Sequence, residues 1–179
     1  MWSSVIMITV TIQELEQDPT SLWEYLFYAI RDMNFLFYVG RSLGPGYRLQ
    51  NHITRQTPVG CYIKANRPES NLWEVDLYRS NDLKALMPEF MDIDFEQRRE
   101  WQREYAVGMG IEDYIDYETV ASLDWYKAHA DILEKEFISF LKPALNIEGV
   151  RYIRSIIPNK YKRPKNKACL EQLSYWGLL

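Results

Sequence analysis

The sequence predicts an α/β chain of the α+β kind, a small central antiparallel sheet flanked by helices, and three observations predict it. Residues 25–31 and 35–41 are rich in aromatic and β-branched side chains and flank the polar turn Asp32-Met33-Asn34, the composition of a hairpin. Far downstream, Leu123, Tyr126, Ala130, Leu133, Phe137 and Phe140 recur in steps of 3 and 4, the period of a helix burying one stripe. The 179 residues are 47% apolar, 15% aromatic and 26% charged, enough for a packed core and too apolar for a disordered chain.

Taken in order, Ile8, Val10 and Ile12 alternate with threonines and Gln13, which predicts a short strand. Asp18-Pro19-Thr20-Ser21 breaks it and caps a helical turn at Leu22-Trp23-Glu24. In the hairpin, pairing Arg31 with Phe35 gives a three-residue loop and sets Tyr28 directly opposite Tyr38. Both rings then share one face, and a one-residue slip would separate them.

Gly44-Pro45-Gly46 interrupts the chain, and a helix is expected from about Tyr47. In it Arg48 and His52 lie four residues apart on one face, beside the apolar pair Leu49 and Ile53. Residues 58–64 and 71–79 read as further strands, and 82–118 as a largely helical, acidic insertion. In the helix of residues 120–141, Glu134 sits one position round from Leu133 and shares a face with Ile138 and Leu141, at the edge of the buried stripe.

The net charge of −4 is unevenly spread. Between Asn81 and Val120 there are eleven acidic and four basic residues. Between Val150 and Ala168 there are seven basic residues and no acid: Arg151, Arg154, Lys160, Lys162, Arg163, Lys165 and Lys167. Such a segment contacts phosphate although the whole molecule is acidic, or else it is a solvated tail. Pro158 and Pro164 make it an extended arm. The expected division is an N-terminal extension over 1–24, a domain over 25–147 with an insertion at about 81–120, and a basic C-terminal extension over 148–179.

Only two cysteines occur, Cys61 and Cys169, with no C-x-x-C or Cys/His cluster, so neither a disulfide framework nor a zinc site is expected. Residues 1–8 hold no basic leader or long apolar run. No signal peptide or membrane span is expected, and a reducing cytoplasm is the expected home.

Six polar residues stand out by order and spacing: Tyr28, Tyr38, Arg48, His52, Glu134 and Asn146. Leu26-Phe27-Tyr28 and Tyr38-Val39-Gly40 occupy the two hairpin strands. Arg48 follows Tyr38 by 10 residues and His52 follows Arg48 by 4; Glu134 precedes Asn146 by 12, with Pro143 between them. This arrangement resembles the GIY-YIG nuclease family over roughly residues 24–147. Leu26 departs from the family's pattern, which opens its first motif with glycine, whereas Tyr38-Val39-Gly40 keeps the second.

The resemblance implies a metal-dependent DNA endonuclease that hydrolyses phosphodiester bonds, as in restriction, phage or mobile-element enzymes. Tyr28 would take a proton from the attacking water, Tyr38 would position water or phosphate, and Arg48 would offer a forked donor to the phosphate oxygens. His52 would hydrogen-bond the phosphate or Tyr28. Glu134 would hold one Mg²⁺ (or Mn²⁺), with Glu136 the rival, and Asn146 would brace the site through the backbone. Arg41 adds a candidate DNA contact.

Around these side chains one solvent-open concavity is expected. Double-stranded DNA is the implied substrate, and one site per chain would need a homodimer or two encounters to cut both strands. Taken singly, each of these residues is more often an ordinary strand aromatic, surface cation or solvent-facing acid. The alternative is a catalytically degenerate nucleic-acid- or protein-binding module on the same fold.

Overall fold

The computed structural model describes residues 7–20, 22, 27–42, 44–79, 82, 83, 86, 133–148 and 150–179. Most of the expected acidic insertion and the first part of the helix expected over 120–141 lie outside the described residues, as does all of the Leu22-Trp23-Glu24 turn except Leu22.

β1 (Ile8–Thr11) leads straight into α1 (Ile12–Gln17), so the expected strand ends before Ile12. The switch is local. The Thr11 hydroxyl accepts from the Glu14 N–H and the Glu14 carboxylate accepts from the Thr11 N–H, a capping box. β2 (Phe27–Asp32) and β3 (Phe35–Arg41) form the expected hairpin, α2 (Pro45–Thr54) the expected helix, and β4 (Glu74–Tyr78) follows a short 3₁₀ turn at Glu69–Leu72. The four strands are antiparallel in the order β1-β4-β2-β3, so β2 is central. β1 lies within the N-terminal extension of the sequence division.

Residues 58–64, expected as a strand, are helical: α3 spans Pro58–Ala65. An apolar run of that length is ambiguous by periodicity, and its start decides it. The Thr57 hydroxyl caps the helix at the Gly60 N–H, and Pro58 fills a first-turn position where no N–H is needed.

The hairpin register also differs from expectation. Asp32 pairs with Phe35 around the two-residue turn Met33-Asn34, with Met33 at φ 53°. Tyr28 lies opposite Gly40, and Tyr38 opposite Ile30. A bulge between Ile30 and Arg31 makes Phe37 the extra residue. Phe37 and Tyr38 then turn to the same side, while Leu36 and Val39 face the other. The displacement of Tyr28 relative to Tyr38 is an even number of residues, so both rings keep the shared face that the sequence required.

Each face of the sheet carries a core. On the first, Tyr28, Ile30, Val75 and Leu77 pack with Ile12 and Leu15 of α1, Leu49 of α2 and Ile63 of α3. On the second, Phe27, Ala29, Val39 and Tyr78 meet Leu133, Phe137 and Ile138 of α4, the helix of residues 133–141. In α4 the expected stripe is only partly buried: Phe140 is 42% exposed, and Ile138 takes its place in the core.

The C-terminal segment wraps the first face instead of leaving it. Tyr161 packs against Phe35, Phe37 and Trp73, and the Asn66 side chain bonds both the N–H and C=O of Lys162. α5 (Lys167–Tyr175) buries Leu173 and is joined to α3 by a Cys61–Cys169 disulfide. No disulfide framework was expected from two cysteines, and this bond weakens that part of the case for a reducing compartment. Among the described residues no helix is long and apolar enough to cross a membrane.

Candidate active site

Two strands and one helix build the site. Tyr28 on β2 and Tyr38 on β3 meet diagonally with ring centroids 6.0 Å apart, and the His52 ring of α2 lies 6.3 Å from Tyr28 and 4.8 Å from Tyr38. The hydroxyl of Tyr28 is 2.8 Å from His52 Nε2, and His52 Nδ1 is 2.8 Å from Thr57 Oγ1. Arg48, one turn before His52 on the same helix face, lies close enough for its charge to act on both phenols.

Gly40 makes the crossing possible. A Cβ there would stand 2.7 Å from the Tyr28 hydroxyl oxygen and 2.7 Å from Tyr38 Cε1, inside van der Waals contact. α2 is fixed behind the site as tightly, since a Cβ on Gly60 of α3 would fall 1.9 Å from the His52 carbonyl oxygen.

Burial governs the protonation states. It holds the Tyr28 hydroxyl well above the usual tyrosine range, with neighbouring Tyr38 adding to it and Arg48 opposing. Tyr38 is raised as well, first by burial and then by the Glu134 carboxylate. Both are therefore phenols at neutral pH. Burial, aided by the Arg48 charge, brings His52 down to about 4, so its imidazole is neutral.

The open concavity expected from the sequence is only half realised. Tyr28 and His52 are 1% and 3% exposed, Tyr38 is half-buried, and Arg48 is exposed. Solvent therefore reaches the cluster from the Arg48 and Tyr38 side.

Glu134 belongs to α4, whose helix packs on the face of the sheet opposite Tyr28 and Tyr38. Its Oε2 accepts from Nε of Arg41, the last residue of β3, at 2.9 Å, and its charge acts on both tyrosines. Glu136, the rival acid, stands 3.8 Å from Arg151. Among the described residues no group of three or more His, Cys, Asp or Glu side chains could hold a metal ion.

Asn146 lies at the free edge of β3 and bonds both backbone groups of Val39, the N–H through its oxygen at 2.9 Å and the C=O through its amide at 2.7 Å. Ala144 and Leu145 donate to Leu36 and Phe37 along the same edge, so residues 144–146 act as a partial fifth strand. Asn146 thus braces Val39, the residue between Tyr38 and Gly40.

The basic segment is extended as expected up to α5, but many of its cations are engaged within the chain. Arg151 faces Glu136, Lys160 bonds Asp32, Lys162 bonds Glu69 and Lys167 faces Glu171. Arg154 donates to the Asn146 carbonyl. Arg163 and Lys165 are exposed.

Thr57 is the site residue that sequence reasoning missed. Its signal was present, a threonine before proline five residues after His52. No known protein family, curated protein or solved structure compared with the chain matches it.

Proposed function

We propose that the chain is a metal-dependent DNA endonuclease that hydrolyses phosphodiester bonds at the Tyr28–Tyr38–Arg48–His52 cluster. The observation that carries this reading is the convergence of four polar residues drawn from three elements, with the Tyr28–His52 hydrogen bond at its centre and an exposed arginine at its mouth. A cluster that served packing alone would have no use for a guanidinium charge beside two phenols.

Arg48 is the forked donor suited to a phosphate. Its charge acts on Tyr28, whose oxygen accepts a proton from the attacking water. Tyr28 is a phenol, so it hands its own proton to the hydroxyl of neighbouring Tyr38, and half-buried Tyr38 releases one to solvent. The water oxygen bonds to phosphorus as the P–O bond to the leaving nucleotide oxygen breaks, and that oxygen takes up a proton from solvent.

Glu134 fits a hard dication. It offers one carboxylate, with Oε2 already engaged by Arg41, and Mg²⁺ is commonly held through one or two carboxylates with substrate phosphate and water. When bound, Mg²⁺ or Mn²⁺ would supply charge stabilisation at the phosphate. The paired tail cations leave Arg163 and Lys165 as the more available phosphate contacts. Cleavage of both strands would use two chains or two encounters.

The burial of Tyr28 and the Arg41–Glu134 ion pair favour a second reading, a binding module that has kept the fold without the chemistry. Supercoiled plasmid incubated with Mg²⁺, with EDTA, and with Tyr28→Phe in Mg²⁺ separates the two. Nicking in the first alone supports the nuclease; retained DNA with a shifted mobility in all three supports the binding module.

A further inference from the structure

We infer that Thr57 is a positioning residue that fixes His52 in the tautomer carrying its proton on Nε2, so that the imidazole donates to the Tyr28 oxygen. The Thr57 hydroxyl has two acceptors within reach, His52 Nδ1 at 2.8 Å and the His52 carbonyl at 3.5 Å. Only the first is an ordinary hydrogen-bond length for a hydroxyl donor, so the proton goes to Nδ1. Oγ1 keeps a lone pair for the Gly60 N–H, the cap of α3. With Nδ1 an acceptor, the neutral ring carries its proton on Nε2, 2.8 Å from the Tyr28 oxygen.

The opposite tautomer would leave the threonine hydroxyl with nothing but the longer contact. The low affinity of His52 for a second proton agrees with a neutral ring, for which the tautomer matters. α3 thereby gains a task in the site. The Thr57-Pro58 start that makes residues 58–65 a helix also sets the direction of a hydrogen bond on Tyr28.

The place of Thr57 in catalysis rests on the nuclease reading above. There, a donor from His52 on the Tyr28 oxygen turns the Tyr28 proton away from the imidazole and toward neighbouring Tyr38, the direction in which it must leave. Loss of the Thr57 hydroxyl would free the ring to reverse that bond.

The test uses the full chain, which contains only two histidines, labelled with ¹⁵N. Assignment by a His52→Gln variant identifies the His52 signals. The expected result is a protonated Nε2 and a bare, hydrogen-bonded Nδ1 in the wild type. Thr57→Val should move the Nδ1 resonance and Thr57→Ser should restore it. A protonated Nδ1 in the wild type, or an Nδ1 unmoved by Thr57→Val, overturns the assignment whatever the activity.

On plasmid DNA, Thr57→Val should lower kcat about tenfold at unchanged KM, with rescue by serine. An unchanged kcat overturns the positioning role. A wild type that cleaves nothing would instead fail the nuclease reading and leave the tautomer to be judged by the nitrogen shifts alone.

Discussion

Tyr28 lies directly across Gly40, with its hydroxyl oxygen 2.7 Å from where a Cβ on Gly40 would be. The strand therefore needs a glycine there for packing, as a cross-strand seat for an aromatic ring. Gly40→Ala should push the Tyr28 and Tyr38 hydroxyls aside by a fraction of an ångström to an ångström. Cleavage should fall about 100-fold, while overpacking destabilises the fold by only about 1–3 kcal/mol. Parallel plasmid-cleavage and urea-unfolding curves check this, and near-normal cleavage would detach the ring positions from the chemistry.

His52 makes stability depend on pH. Its folded value of about 4 lies below the 6.5 of the unfolded chain, so between these limits the unfolded state binds more protons. The stabilisation is fully present above about pH 6.5 and is lost as pH falls toward 4, by roughly 3 kcal/mol at most. Unfolding free energies from pH 4 to 7.5 should show this slope in the wild type. The slope should be reduced in His52→Gln, and equal slopes in both proteins would show that His52 is not held neutral by burial.

Asn146 replaces two backbone partners for Val39 at a buried edge. Asn146→Ala leaves that N–H and C=O unpaired and should destabilise the fold by about 2–4 kcal/mol. Asn146→Asp keeps the acceptor but loses the amide donor, and should destabilise it as well. Chemical denaturation measures both, and an unperturbed Asn146→Ala would mean that water restores the edge.

In the basic segment, Lys160 and Lys162 are partnered by Asp32 and Glu69, whereas Arg163 and Lys165 are exposed. Replacing Arg163 and Lys165 with glutamine should flatten the slope of log affinity against log salt by up to about 0.9 for each phosphate no longer neutralised. The same change at Lys160 and Lys162 should have a smaller effect. Equal effects from the two pairs would show that the ion pairs open on binding.

The sequence made the parts of the site legible where chemistry and periodicity coincide. Tyr28 and Tyr38 alternate in strand runs, and Arg48 and His52 are separated by one helical turn, so their faces could be read directly. The register could not, because the bulge at Phe37 and the turn at Met33-Asn34 depend on which aromatic rings the core accepts. α3 was hidden by an apolar composition shared by strands and helices, although Thr57-Pro58 marks its start.

Thr11 and Glu14 likewise announced α1 by spacing alone. The docking of Tyr161 and the Cys61–Cys169 bond join residues far apart in the chain, and no local signal specifies them.

Glu134 separates a nuclease from a binding module most directly. The deciding measurement is cleavage of supercoiled plasmid by Glu134→Ala in Mg²⁺, alongside its DNA affinity. A nuclease of the kind proposed should lose cleavage with binding kept or tightened, since a carboxylate is removed and the phosphate-contacting cations remain. Wild-type cleavage by Glu134→Ala would contradict it.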